Sequence, residues 1–195
     1  IPFNDMTNEA VRALEPKAIW NHFADLNAVP RASKKEERVT AFIKAYGESL
    51  GLPTQVDEAG NVIIKKPGSK GKEKNPAVVL QSHLDMVHQK NAGTDFNFDS
   101  DGIRMKVDGD WVKADGTTLG ADNGLGVATI MTILAAKDIA HPPIEALFTI
   151  DEETGMTGAF ELKGGLLSGP ILLNLDTEED TELTIGCAGG LDVTA

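Results

Sequence analysis

Cysteine is almost missing from this sequence. Cys187 is the one cysteine among 195 residues, so no disulfide can form within the chain. With no histidine near it in sequence, it reads as a buried thiol rather than a nucleophile. Basic residues are also in deficit, 18 Lys and Arg against 30 Asp and Glu, which leaves a formal net charge of −12 at pH 7. Nucleic acid and anionic membrane are thereby excluded as main partners, because phosphate recognition needs clustered Lys and Arg. The one basic stretch, residues 65–76, carries no interleaved aromatics and no P-loop spacing, so it reads as a solvated connection rich in Gly and Pro. No apolar run reaches membrane-spanning length, and the first residues lack the apolar core of a signal peptide. The expected location is the cytoplasm. What is present is an ordinary globular composition, 41% hydrophobic, long enough for one domain with a sizeable core.

Periodicity supplies the elements. Residues 16–27 read as a helix with Ile19, Phe23 and Leu26 on one face. Ser33 and Glu36 have capping-box spacing before a stripe of Val39, Phe42, Ile43, Tyr46 and Leu50, with Gly51 as the stop. Residues 56–66 suggest a hairpin turning at Gly60-Asn61, and residues 104–114 a second one around Asp108-Gly109. Residues 125–136 are apolar on nearly every side, which predicts a helix buried against a sheet, and residues 157–166 a shorter helix. The order predicts an α/β fold: a mixed, mainly parallel central sheet flanked by helices. Residues 182–185 are also strand-like and precede a small-residue run at 186–190.

Three apolar strand-like runs each end on potential metal ligands. Residues 77–81 lead into Ser82-His83-Leu84-Asp85, residues 144–150 into Asp151-Glu152-Glu153, and residues 171–175 into Asp176. Sites in open α/β sheets form beyond the carboxyl ends of parallel strands. Each signal alone has a plain alternative: a core histidine, a run of solvated acids, or an N-cap for Asp122, which directly precedes the buried helix. Their convergence on one rim points instead to a metal centre. On an extended chain, residues two apart share a face, so Asp85 is placed to orient His83. Neighbours point opposite ways, so Glu152 and Glu153 can take different tasks. One histidine with several carboxylates suits zinc, with cobalt or manganese as alternatives. Two divalent ions would bring the formal charge from −12 to about −8. His22, His88 and His141 carry no comparable pattern.

The segments V-V-L-Q-S-H-L-D-M-V, T-T-L-G-A-D-N-G-L-G, T-I-D-E-E-T-G-M-T-G-A-F and G-C-A-G-G-L-D resemble those of the aminoacyl-histidine (Xaa-His) dipeptidases. These belong to a clan of co-catalytic dizinc exopeptidases and deacylases. The resemblance spans nearly the whole chain in order. It implies a zinc exopeptidase-like three-layer sandwich that hydrolyses dipeptides with a dizinc-activated water. His83, Asp122 and Asp176 would bind one metal. Asp122 would bridge to a second, which Glu153 also binds. Glu152 would be the general base and Asp85 the residue orienting His83, and the Asp122-Asn123 peptide would be cis. Zinc is the implied cofactor, two ions per complete catalytic domain.

Members of that family are much longer. After G-C-A-G-G they continue into a lid and dimerisation domain, then return to supply another histidine to the second metal. Residues 1–185 are therefore expected to be the N-terminal part of a truncated catalytic domain, and residues 186–195 the start of the connection. A homodimer would form through the domain this chain lacks. The isolated chain is expected to have little or no activity, so an inactive metal-binding fragment is one alternative reading. A dizinc N-acyl-amino-acid deacylase is the other.

Overall fold

A computed structural model of the chain describes residues 8–177, 181–186 and 189. Three helices come first: α1 (Glu9–Arg12), α2 (Lys17–Asn27) and α3 (Glu37–Ser49). An antiparallel pair follows, β1 (Thr54–Val56) and β2 (Val62–Lys66). Asp57 builds its turn by accepting the backbone N–H groups of Ala59, Gly60 and Asn61. Next are β3 (Val78–His83), a separate hairpin of β4 (Met105–Asp108) and β5 (Trp111–Ala114), and α4 (Ala121–Ala135). The described elements end with β6 (Ile144–Thr149), two short helices α5 (Glu152–Gly155) and α6 (Thr157–Glu161), and β7 (Ile171–Asn174).

The central sheet has the order β1-β2-β6-β3-β7. It is mixed: β1–β2 and β2–β6 are antiparallel, while β6–β3 and β3–β7 are parallel. Buried β3 and β6 are rich in Val, Leu, Ile and Phe, as strands covered on both faces should be. One face packs on α3 and α4 through Ile43, Val62, Ile64, Leu80, Ile130 and Phe148. On its other side, α4 meets α2, where Phe23, Ala24 and Ala128 join a second cluster with Met86, Phe96 and Met105. That explains why the helix is apolar all round: it is covered from two sides. The opposite sheet face carries a smaller cluster of Ile63, Val79 and Leu147 under Leu162, Leu166 and Leu167. Strand β7 lies at an edge and is exposed along its whole length.

Three expectations change. Ser33 and Glu36 form no capping box: α3 starts after Glu36, whose side chain does not cap it. The Ser33 hydroxyl donates instead to Asp85. At the start of α4, Gly120 takes the N-cap position in the left-handed region at φ +71°, and the backbone then kinks at Asp122 and Asn123, which are non-helical. Helix α6 stops at Glu161, short of residue 166, because Leu162 turns to an extended backbone. Residues 182–185 form no strand; Leu183 and Ile185 stand in solvent, with no strand among the described residues pairing with them. Cys187 lies outside the described residues.

Candidate metal centre

Register brings the candidate residues together. His83 pairs with Thr149 across β3–β6, and Gln81 pairs with Asn174 across β3–β7. Residues just beyond Thr149 and Asn174 therefore reach the same rim as His83. Helix α4 brings Asp122 to that rim from above. It approaches β3 closely at Gly126, where a Cβ would collide with the Ser82 hydroxyl and the Leu175 carbonyl. The Asp122-Asn123 peptide is cis, as the family resemblance implies.

His83 sits at the centre and is 1% exposed. Its Nδ1 lies 3.1 Å from the Asp85 carbonyl and 3.3 Å from Asp85 Oδ1. With Nδ1–H turned to Asp85, Nε2 is the nitrogen that faces the other acids. Nε2 is 2.9 Å from Asp122 Oδ1, 3.8 Å from Asp176 Oδ2 and 4.0 Å from Glu152 Oε2. Two groups of potential ligand atoms each lie within 4.8 Å of one another: His83 with Asp122 and Asp176, and His83 with Glu152 and Glu153. Zinc ligands about 2.1 Å from the metal at tetrahedral angles lie about 3.4 Å apart. The donor set and spacing therefore fit a divalent metal.

The charges are tightly coupled. Burial pulls the His83 pKa down, but the carboxylates of Asp85, Asp122 and Asp176 outweigh it and hold it up at about 9. Burial pushes Asp85 up, yet bonds from His83, the Glu152 N–H and Ser33, with the His83 charge, bring it to about 2. Glu152, Glu153 and Asp176 are all raised, first by burial and then by neighbouring acids, with His83 opposing. Like charges this close resist joint ionisation unless a cation compensates.

Glu152 and Glu153 do not lie on extended chain. They open α5, and Asp85 receives their N–H groups, Glu152 on Oδ1 at 3.0 Å and Glu153 on Oδ2 at 3.2 Å. Both glutamates still face the centre, because a remote carboxylate caps this turn. Asp151 serves the scaffold: its carboxylate accepts the hydroxyls of Thr154 and Thr157, and its N–H donates to Glu36. The rim opens into a cleft of about 480 Å³ lined by Asp122, Leu125, Glu152 and Asp176. A more apolar hollow of about 220 Å³ adjoins it, between Gln81, Leu147, Met156, Leu162 and Leu172.

The other histidines belong elsewhere. His22 packs edge-on against Tyr46, and His88 against Phe98. His141 is buried beside Pro142. Sequence reasoning missed Arg31, Ser33 and Glu36, which reach the centre from the loop between α2 and α3. Ser33 and Glu36 have the spacing of a helix cap, and no local pattern separates Arg31 from a surface arginine.

An α/β sheet with a histidine-carboxylate centre at its strand ends is the layout of a metal-dependent hydrolase. Residues 79–190 match peptidase family M20/M25/M40, and the chain belongs to that family. It is 46% identical over 182 residues to the cytosol non-specific dipeptidase of Escherichia coli (strain K12), covering 93% of this chain and 38% of the relative. The crystal structure of aminoacylhistidine dipeptidase from Vibrio alginolyticus superposes with a TM-score of 0.85 at 49% identity, covering 87% of this chain and 35% of that one. A tripeptidase from Staphylococcus aureus gives a TM-score of 0.71 at 25% identity, covering 86% of this chain and 45% of that one. The chain thus spans little more than a third of the length of its two dipeptidase relatives. Among the described residues, no helix is long and apolar enough to cross a membrane.

Proposed function

We propose that this chain carries most of the metal site of a cytoplasmic dizinc dipeptidase acting on Xaa-His dipeptides. The observation that carries the reading is the meeting of His83, Asp122 and Asp176 with Glu152 and Glu153 at one rim. The names of the two relatives support dipeptides as substrate, and that of the Vibrio alginolyticus enzyme supports the Xaa-His preference. His83, Asp122 and Asp176 would hold one zinc, and Asp122 with Glu153 a second. A metal held there supplies Lewis acidity to the scissile carbonyl and acidifies water.

The chain's own residues do the rest. Asp85 accepts a hydrogen bond from the Nδ1–H of His83 and so presents Nε2. Glu152 lines both the cleft and the hollow. Its raised pKa suits a base that takes the attacking water's proton and hands it to the leaving amine. The second metal would keep only Glu153 and a share of Asp122 from this chain. The 195 residues alone would therefore be a metal-binding unit with little turnover, and dimerisation would belong to the longer enzyme.

Glu152→Ala tests this in an enzyme of the relatives' length that contains this chain. Hydrolysis of an Xaa-His dipeptide should fall by about 10²–10⁴ while metal content and fold stay unchanged. A variant with native turnover would remove Glu152 from the mechanism. Preferential cleavage of N-acyl amino acids would move the enzyme to the deacylases.

A further inference from the structure

The loop between α2 and α3 touches three of the four segments that bring acids and the imidazole to the rim: the end of β3, the start of α4 and the start of α5. Arg31 is 2% exposed. Its Nη1 donates to the carbonyls of Leu84 at 3.1 Å and Asp85 at 3.3 Å, just past His83. Its Nη2 donates to Asn27 Oδ1 at 2.9 Å and to the carbonyl of Gly120, two residues before Asp122. Any side chain at Gly120 would strike that guanidinium. Ser33 Oγ donates to Asp85 Oδ2 at 2.8 Å, the same oxygen that receives the Glu153 N–H. Glu36 Oε1 accepts the Asp151 N–H at 3.1 Å, directly before Glu152.

These bonds join residues 53, 89 and 115 positions apart. Filling a core does not require a guanidinium, which is costly to bury. What it uniquely supplies is several donors in one rigid plane. Here every acceptor is a neutral oxygen, and three of the four are backbone carbonyls on segments leading to the rim. Such an arrangement fixes the relative positions of segments through its hydrogen bonds, while the buried charge is favoured by the nearby Asp85, Asp122 and Glu153.

We propose that Arg31 and Ser33 are positioning residues that set the geometry and affinity of the metal centre, by locking the His83–Asp85 strand end to the Asp122 loop and to the first turn of α5. The proposal rests on the metal reading of that centre. Residues that orient metal ligands typically change affinity 10- to 100-fold when removed.

The test uses the 195-residue chain and Co²⁺, whose visible d–d absorption reports ligand geometry. Ser33→Ala should weaken Co²⁺ binding about tenfold or more and shift the d–d bands, and Arg31→Lys should do both more strongly. Ile43→Val, which trims the core between α3 and the sheet, serves as the control. It should lower the melting temperature yet leave Co²⁺ affinity and spectrum native. Should Arg31→Lys fail to fold, Ser33→Ala decides. A folded Ser33→Ala protein with native Co²⁺ affinity and native bands overturns the proposal. A native chain that takes up no Co²⁺ overturns the metal reading itself, and the positioning role with it.

Discussion

His83 concentrates the electrostatics of the site in one side chain. Its pKa is held at about 9 by surrounding acids, whereas a metal takes the neutral imidazole. In the metal-free protein near pH 7, His83 is charged and must lose a proton when a metal enters. Zinc affinity should therefore rise about tenfold per pH unit between pH 7 and 9, then level off. Calorimetry in buffers of different ionisation enthalpy should count about one proton released at pH 7.5. A flat affinity with no proton release would show that the imidazole is not a ligand. His83, Glu152, Glu153 and Asp176 were legible in the sequence because each follows a strand-like apolar run, and Asp122 because it directly precedes an apolar helix; both are local, periodic signals. Arg31 was not. Its buried position is defined by Leu84, Asp85 and Gly120, more than fifty residues away, and local pattern does not record such distances.

At the scale of elements, hydrophobic period located the long helices and strands, and hydrogen bonding moved their ends. Strand β3 runs on to His83 because Leu84 donates to the Thr149 carbonyl beyond it. The S-x-x-E pattern at Ser33 misled because the Ser33 hydroxyl donates to Asp85, and Glu36 accepts the N–H groups of Lys34 and Asp151 instead of that of Ser33. Another remote carboxylate builds the approach to β7. Glu145 on buried β6 accepts from the N–H of Ser168 and Gly169, the Ser168 hydroxyl and Lys65. Burial alone would raise its pKa, but these donors bring it to about 2. A depressed carboxylate stabilises the fold above its ordinary pKa of about 4.5 and loses that contribution as pH falls toward 2. The contribution is about 3 kcal/mol. Glu145→Gln should thus melt several degrees below the native chain at pH 6, with the gap closing by pH 2. A gap that ignores pH would mean that the charge of Glu145 does not matter.

Across the whole molecule, the acidic surplus and the partial length act together. The chain carries a net charge of −12 and gathers five carboxylates around one imidazole. It covers 38% of the Escherichia coli relative. On the proposed ligand assignment, one metal position has three ligands from this chain and the other has only Glu153 and a shared Asp122. Zinc titration should accordingly find one tightly held ion per chain and a second held much more weakly. At 100 times the tighter dissociation constant, zinc should add about 2.7 kcal/mol of stability, read as a rise in melting temperature. Two equally tight ions would show that the chain completes the second position unaided. The exposed edge strand β7 follows the same logic of scale: the period of residues 171–175 identified a strand, but could not reveal that β3 is its one neighbour among the described strands.

Anomalous X-ray diffraction at the zinc edge, on crystals of this chain grown with zinc, tests the account most directly. The strongest peak should lie about 2 Å from His83 Nε2 and from a carboxylate oxygen of both Asp122 and Asp176, with a weaker peak beside Glu153. Zinc bound only away from these side chains, or no peak at the rim at all, would contradict it.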